Sequence, residues 1–105
     1  MLNQVVLVGR IVKRNETKTN GKKIIKFTIG VPRPFKNING DYEKDFIEII
    51  LWNGLSEISN NYCQKGDLVG IKGRLQSNVS KDTKNNNKLE VIAEKVTIIS
   101  GNKTN

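Results

Sequence analysis

The stretch Asp45-Phe46-Ile47-Glu48-Ile49-Ile50-Leu51-Trp52 has the alternation of a β-strand, and it decides how the rest of the chain is interpreted. Successive side chains of a strand point to opposite faces of the sheet. One face carries Ile47, Ile49 and Leu51, which we predict to lie in the core. The other face carries Phe46 and Trp52, two of the six aromatic residues of the chain (three Phe, two Tyr, one Trp). Large flat side chains on the outside of a sheet are suited to stacking on unpaired bases.

Five segments have strand character because they are rich in β-branched residues or alternate in polarity. They cover residues 4–13, 22–32, 44–53, 67–77 and 88–100. The pairs Asn20-Gly21 and Asn39-Gly40 are typical of hairpin turns, and the polar residues 80–87 predict a long hairpin tip. Apolar residues three and four positions apart predict one helix over residues 55–63, with Gly66 as a stop signal.

This order, with the helix between the third and fourth strands, predicts a mainly β fold of the OB-fold class. The OB-fold is a five-stranded Greek-key barrel that binds oligonucleotides or oligosaccharides on its second and third strands. We expect one domain over residues 1–100 and a short polar end over residues 101–105. Alternation predicts further core residues on the second and fourth strands: Ile25, Phe27, Ile29, Val31, Val69, Ile71 and Leu75.

The charge balance favours a polyanionic partner, either nucleic acid or an anionic membrane. The chain has 18 Lys and Arg against 10 Asp and Glu, a net charge of +8. Its apolar runs are too short to cross a bilayer, and it shows no secretory signal. We therefore expect a nucleic-acid-binding protein of the cytoplasm, associated with the nucleoid.

Nine basic residues lie between positions 10 and 36, where Glu16 is the single acid. The candidate phosphate contacts from this segment and from the outer face of the fourth strand are Arg10, Lys13, Lys26, Arg33, Lys36, Lys72 and Arg74. For Lys18, Lys22 and Lys23, a role in keeping a hairpin edge soluble explains the charge as well as a phosphate contact does.

Phe35 belongs to a stiff segment, because Pro32 and Pro34 restrict the backbone on either side of Arg33. A guanidinium, a ring and the ammonium of Lys36 in one short segment suit phosphates and one stacked base. We therefore predict base stacking on Phe35, Phe46 and Trp52. A contact between subunits is the alternative for Phe46 and Trp52.

The first strand is apolar on both faces, which indicates that both are covered. One face carries Val5, Leu7 and Ile11, and the other carries Val6, Val8 and Val12. Gly9 permits a close approach of another backbone. Because 105 residues are near the small end of what forms a self-sufficient core, we expect Val6, Val8 and Gly9 to lie between subunits of a homo-oligomer.

The residue types needed for catalysis or metal binding are scarce. The chain has no histidine, and Cys63 is its one cysteine. This excludes an internal disulfide, a multi-thiolate site and the usual histidine general base, and the carboxylates are scattered along the sequence. We expect no enzymatic activity, no metal and no cofactor, and we interpret Cys63 as a structural residue.

Several motifs in order resemble those of bacterial single-stranded DNA-binding proteins. They occupy residues 2–10, 27–35, 45–52, 62–69 and 73–76, and the similarity runs to about residue 99. The resemblance implies an OB-fold homotetramer, paired through the first strand, that binds single-stranded DNA in replication, recombination or repair. Stacking aromatics of that family match Phe35, Phe46 and Trp52. Ser80 stands where the family has a fourth aromatic. The resemblance therefore implies that DNA binding by that hairpin depends on three lysines: Lys81, Lys84 and Lys88.

The resemblance also implies a short form of the family. Its housekeeping members carry a long tail that ends in an acidic tip, whereas this sequence ends in Ser100-Gly101-Asn102-Lys103-Thr104-Asn105. A second hypothesis remains open, in which the chain is a primosome-type adaptor of similar fold that acts through protein contacts and binds single-stranded DNA weakly.

Overall fold

The computed structural model describes residues 2–52, 63–79 and 87–101. They form five strands: β1 (Val5–Thr19), β2 (Lys22–Lys36), β3 (Tyr42–Trp52), β4 (Leu68–Val79) and β5 (Asn87–Ser100). The strands close into a barrel in the order β1-β2-β3-β5-β4. This topology confirms the predicted OB-fold class. The predicted helix, apart from Cys63, and the predicted hairpin tip, apart from Asn87, lie outside the described residues.

Strand β1 changes its partner along its length. Residues 5–10 pair with β4, and residues 10–19 pair with β2, with a bulge between Ile11 and Lys13. At Gly9 the backbone of β1 comes close to that of β2, since a Cβ atom on Gly9 would be 2.7 Å from the carbonyl oxygen of Gly30. A side chain at position 9 would collide with β2, so glycine is needed there for the barrel to pack.

The hairpin formed by β1 and β2 is longer than the sequence indicated. β1 runs to Thr19 and β2 begins at Lys22, and the two pair along the whole arm. Asn20 and Gly21 have φ angles of 52° and 74°, which confirms the predicted Asn-Gly turn. The second half of β1 was missed because its polar side chains, residues 14–19, give no apolar alternation, although it is paired with β2 along its length.

Strand β2 also runs past its predicted end, as far as Lys36. The pairing of β2 with β3 loses its register between Pro32 and Lys36. Proline lacks the N–H group that a sheet ladder uses, and it is tolerated at such an irregularity. Phe35 therefore projects from the irregular end of a strand, where the sequence suggested the start of a loop.

The core forms where the predicted apolar faces meet. Its fully buried side chains include Ile25, Phe27, Ile29, Ile49, Leu51, Val69 and Ile71, and Val31 and Ile47 pack against them. Leu75 was wrongly predicted as core. It is exposed at the edge of a cavity of about 530 Å³, because alternation sets the face of a side chain and not whether a neighbour covers it.

Cys63 is buried in the same core. Burial raises the pKa of its thiol, and the carboxylate of Asp67 raises it further, whereas Arg14 acts in the opposite direction. A buried thiol with a raised pKa is a poor nucleophile. These properties agree with the structural role that the sequence predicted.

We expect the buried position of Ile49 to be sensitive to the loss of one methyl group. Ile49→Val should lower the free energy of unfolding by about 0.5–1.5 kcal/mol, measured by urea denaturation. Ile38→Val makes the same change at a fully exposed turn residue and should have almost no effect. Equal losses in the two variants would contradict the assignment of the core.

Candidate nucleic-acid interface

Phe46 and Trp52 lie on the outer face of β3, as the alternation predicted, and they are 66% and 44% exposed. Ile50 lies between them on the same face but is only 5% exposed. It is covered because the parallel pairing of β3 with β5 places Ile92 beside it. We call the surface formed by Phe46, Ile50, Trp52 and Ile92 the aromatic face.

The ring of Phe46 lies against β2. Phe46 and Gly30 are paired across the two strands, and a Cβ atom on Gly30 would be 3.5 Å from Cε1 of Phe46. The ring therefore rests over a position without a side chain, which supports it while leaving much of it open to solvent.

Arg33 is held by two carboxylates of β3. Its Nε and Nη2 atoms donate to Oδ1 of Asp45 at 3.0 and 2.7 Å, and Nη1 donates to Oε2 of Glu43 at 2.6 Å. The hydrogen bonds from Arg33 lower the pKa of Asp45, and the same contacts raise the pKa of Arg33. A phosphate bound at Arg33 must therefore share the guanidinium with two carboxylates, because they occupy three of its five N–H donors.

The turn next to this ion pair is fixed by Asn37. Its Oδ1 atom accepts hydrogen bonds from the backbone N–H groups of Asn39 and Asp41 at 3.0 and 2.9 Å. Its Nδ2 atom donates to Glu43 at 3.2 Å. The end of the β2–β3 hairpin is thereby connected to the segment that presents Phe35, whose ring is exposed.

Two lysines and two glutamates lie together on the aromatic face. Nζ of Lys26 is 3.8 Å from Oε2 of Glu48 and 3.7 Å from Oε2 of Glu90. Nζ of Lys88 donates to Oε1 of Glu48 at 3.1 Å. Glu90 is only 4% exposed. Lys26 and Lys88, both predicted as phosphate contacts, are therefore paired with carboxylates.

The other predicted phosphate contacts are spread over the barrel. Nη1 of Arg10 donates to the carbonyl oxygen of Gly66 at 2.9 Å, and Nζ of Lys36 is 5.7 Å from the ring centroid of Tyr42. Nη1 of Arg74 donates to Oε1 of Gln76 at 2.7 Å.

Two further predicted contacts, Lys13 and Lys72, are exposed. Lys72 pairs with Val6 on the first strand. Lys81, Lys84 and Ser80 lie outside the described residues.

Val6 and Val8 are exposed on the outer face of β1. They border a shallow cavity of about 190 Å³ with Gly70 and Thr97. In one chain this apolar surface is left open to solvent. Gly9, the third residue predicted to lie between subunits, is buried in the single chain beside Gly30.

Sequence reasoning missed the carboxylates beside the rings. Glu48 shares the parity of Phe46 and Trp52, so the alternation of β3 placed it on this face, but its partners could not be inferred. Glu90 was missed because its position follows from the pairing of β5 with β4 and β3, which the sequence does not specify.

The described parts of the chain contain no group of three or more His, Cys, Asp or Glu residues placed to hold a metal ion. Among those same residues there is no helix of the length and apolarity required to cross a membrane.

Comparison with known proteins identifies related sequences. Residues 2–99 match the model of the single-strand binding protein family. The chain is 42% identical over 101 residues to a single-stranded DNA-binding protein of Halalkalibacterium halodurans, a match that covers 91% of this chain and 60% of the relative. It is 37% identical over 107 residues to single-stranded DNA-binding protein 1 of Clostridium acetobutylicum, covering 97% of each. The chain spans about 60% of the length of the Halalkalibacterium halodurans protein and of two other curated relatives.

Solved structures support the fold. A deletion mutant of the single-stranded DNA-binding protein from Thermus aquaticus has a TM-score of 0.77 and 24% identity, covering 96% of this chain and 52% of that protein. The dimeric N-terminal domain of PriB protein from Thermoanaerobacter tencongensis has a TM-score of 0.69 and 28% identity, covering 94% of this chain and 98% of that domain.

The Arg33–Asp45 pair predicts a measurable titration. The pKa of Asp45 is depressed in the folded chain, so the stabilisation from this pair is present above the unfolded pKa and is lost as the pH falls through the folded value. Arg33→Gln should raise the pKa of Asp45 toward its ordinary value, measured by NMR titration of the carboxyl carbon. Lys36→Gln removes a nearby cation and should leave that pKa in place. An unchanged pKa in Arg33→Gln would contradict the pairing.

Proposed function

Because the chain belongs to the single-strand binding protein family, we propose that it coats single-stranded DNA with little sequence preference, in replication, recombination or repair. The observation that carries the proposal is the aromatic face, where Phe46 and Trp52 are exposed along one strand of a chain with a net charge of +8. Stacking of a base on such a ring contributes about 1–3 kcal/mol. Phe35 provides the third proposed stacking ring at the end of β2.

Contacts with phosphates supply the remaining affinity in this proposal. Each Lys or Arg that neutralises a phosphate releases counterions, so binding weakens as the salt concentration rises. The proposed contacts are Arg10, Lys13, Lys26, Arg33, Lys36, Lys72, Arg74, Lys81, Lys84 and Lys88. Lys26, Arg33 and Lys88 have carboxylate partners in the free protein. We expect them to contribute less per charge than exposed Lys13, because binding a phosphate first costs an ion pair.

We further propose that the chain forms a homotetramer through β1. The open apolar surface at Val6 and Val8 supports this, since a strand that is apolar on both faces needs a cover on each. The PriB domain with 28% identity is described as dimeric, which shows that a similar barrel can associate with a second copy. The proposed role is one of binding, without catalysis, in the cytoplasm.

The second candidate function is that of an adaptor which acts through protein contacts. The likeness to the PriB domain over 98% of its length favours it. The two functions differ in the state of Trp52, because an adaptor that binds DNA weakly leaves the indole ring free of bases. Titration of Trp52 fluorescence with oligo-dT at two salt concentrations tests the proposal directly.

We expect the fluorescence of Trp52 to be quenched by oligo-dT at low salt, and Phe46→Ala to weaken binding by about 1–3 kcal/mol through loss of one stacking ring. Ile38→Ala truncates a fully exposed apolar residue of the turn and serves as the control, with affinity close to that of the wild type. Absence of quenching at low salt would favour the adaptor function.

We expect Val8→Asp to separate the subunits, because it places a charge in the centre of the proposed apolar contact. Static light scattering should give a mass several times 11.8 kDa for the wild type and a lower mass for the variant. Asn15→Asp adds a charge to an exposed position of the same strand and should leave the mass unchanged. A wild type that is monomeric at every concentration would refute the proposed assembly.

A further inference from the structure

Beside Trp52 lies a cavity of about 400 Å³, within the range of sites that hold a small molecule. Its floor is apolar and is formed by Ile50 and Ile92, both buried. Trp52 lines one part of it, and Lys26 and Glu90 supply charged groups. We call this cavity the base pocket.

The two charged groups of the base pocket have complementary hydrogen-bonding properties. Glu90 is more than nine-tenths buried, and its carboxylate offers two acceptor oxygens and no donor. The ammonium group of Lys26, which offers donors only, is 3.7 Å from Oε2 of Glu90. The lining therefore places a group that only accepts hydrogen bonds beside a group that only donates them, and Thr17 and Gln76 complete its polar part.

Among the four DNA bases, guanine has the Watson–Crick edge that complements this pattern. Its N1–H and N2–H groups are two adjacent donors, and its O6 atom is an acceptor beside them. Thymine presents one donor between two carbonyl oxygens, so it can donate one hydrogen bond to a carboxylate where guanine can donate two. Recognition of an unpaired base by ring stacking and by its Watson–Crick edge is a common mode of single-strand binding.

We propose that the base pocket binds one nucleobase and prefers guanine to thymine, with Glu90 as the residue that determines this preference. The inference rests on the proposed function, because it requires that single-stranded DNA crosses the aromatic face. It adds a preference at one position of a protein that is otherwise tolerant of sequence. Glu90 then has a role beyond balancing the charge of Lys26.

The test compares oligonucleotides of equal length in lithium buffer, by competition against a labelled oligo-dT. One is all thymine, one has guanine at widely spaced positions, and one has hypoxanthine there, which keeps O6 and N1–H but lacks the amino group. A bidentate contact distinguishes bases by about 1–3 kcal/mol, and the lower part of that range corresponds to about five- to tenfold tighter binding. We expect this gain for guanine and a smaller gain for hypoxanthine.

Glu90→Gln should abolish the guanine preference, so that the guanine-containing and all-thymine oligonucleotides bind about equally, because one acceptor is replaced by a donor. Asp41→Asn makes the same change in charge at the exposed β2–β3 turn and should keep the preference of the wild type. Circular dichroism melting establishes that both variants are folded, and the three-oligonucleotide comparison in the wild type requires no variant.

The outcomes separate the two proposals. Equal binding of all three oligonucleotides by the wild type, or a guanine preference that survives in Glu90→Gln, would overturn the role of Glu90 while single-strand binding stands. Failure of the wild type to bind any oligonucleotide would refute the proposed function, and the base pocket with it.

Discussion

The barrel depends on β1 pairing with two different strands. Arg10 is paired with Leu68 of β4 and with Gly30 of β2, and the bulge that follows turns the strand from one partner to the other. A bulge increases the local twist and bend of a strand, and Gly9 leaves room for the backbone of β2. Because β1 pairs with β4 over its first half and with β2 over its second half, the sheet can close into a barrel. Closure also sets which outer surfaces β2 and β3 present to solvent.

The parts of the fold that the sequence predicted depend on local patterns. Alternation along β3 correctly separated Ile49 and Leu51 from Phe46 and Trp52, because a period of two leaves no choice of face once a strand forms. The Asn20-Gly21 turn was equally local, since its two positive φ angles require those residue types. Number and order of the strands followed from the same signals.

The parts that could not be predicted depend on pairings between strands. Arg33 was interpreted as a phosphate contact from its neighbours in sequence, whereas the register of β2 with β3 brings it to Asp45 and Glu43. Lys26 lies beside Glu90, 64 positions along the chain, only because β3 and β5 are neighbours in the barrel. Leu75 had the right parity for the core but lacked a cover. Sequence patterns therefore located the rings, and the closed sheet determined which charges surround them.

The contact between β3 and β5 has a consequence for the stability of the site. Within the described residues, their ladder consists of two pairs, Ile49 with Val91 and Ile50 with Ile92. Joining segments so distant in sequence costs chain entropy, and short ladders open more readily than long ones. The second pair also forms the floor of the base pocket. Separation of β3 from β5 therefore removes the pocket, while the antiparallel pairings of β1 with β2, β2 with β3 and β4 with β5 remain formed. A base bound in the proposed pocket would contact both β3 and β5, and by binding only the closed barrel it would stabilise that barrel.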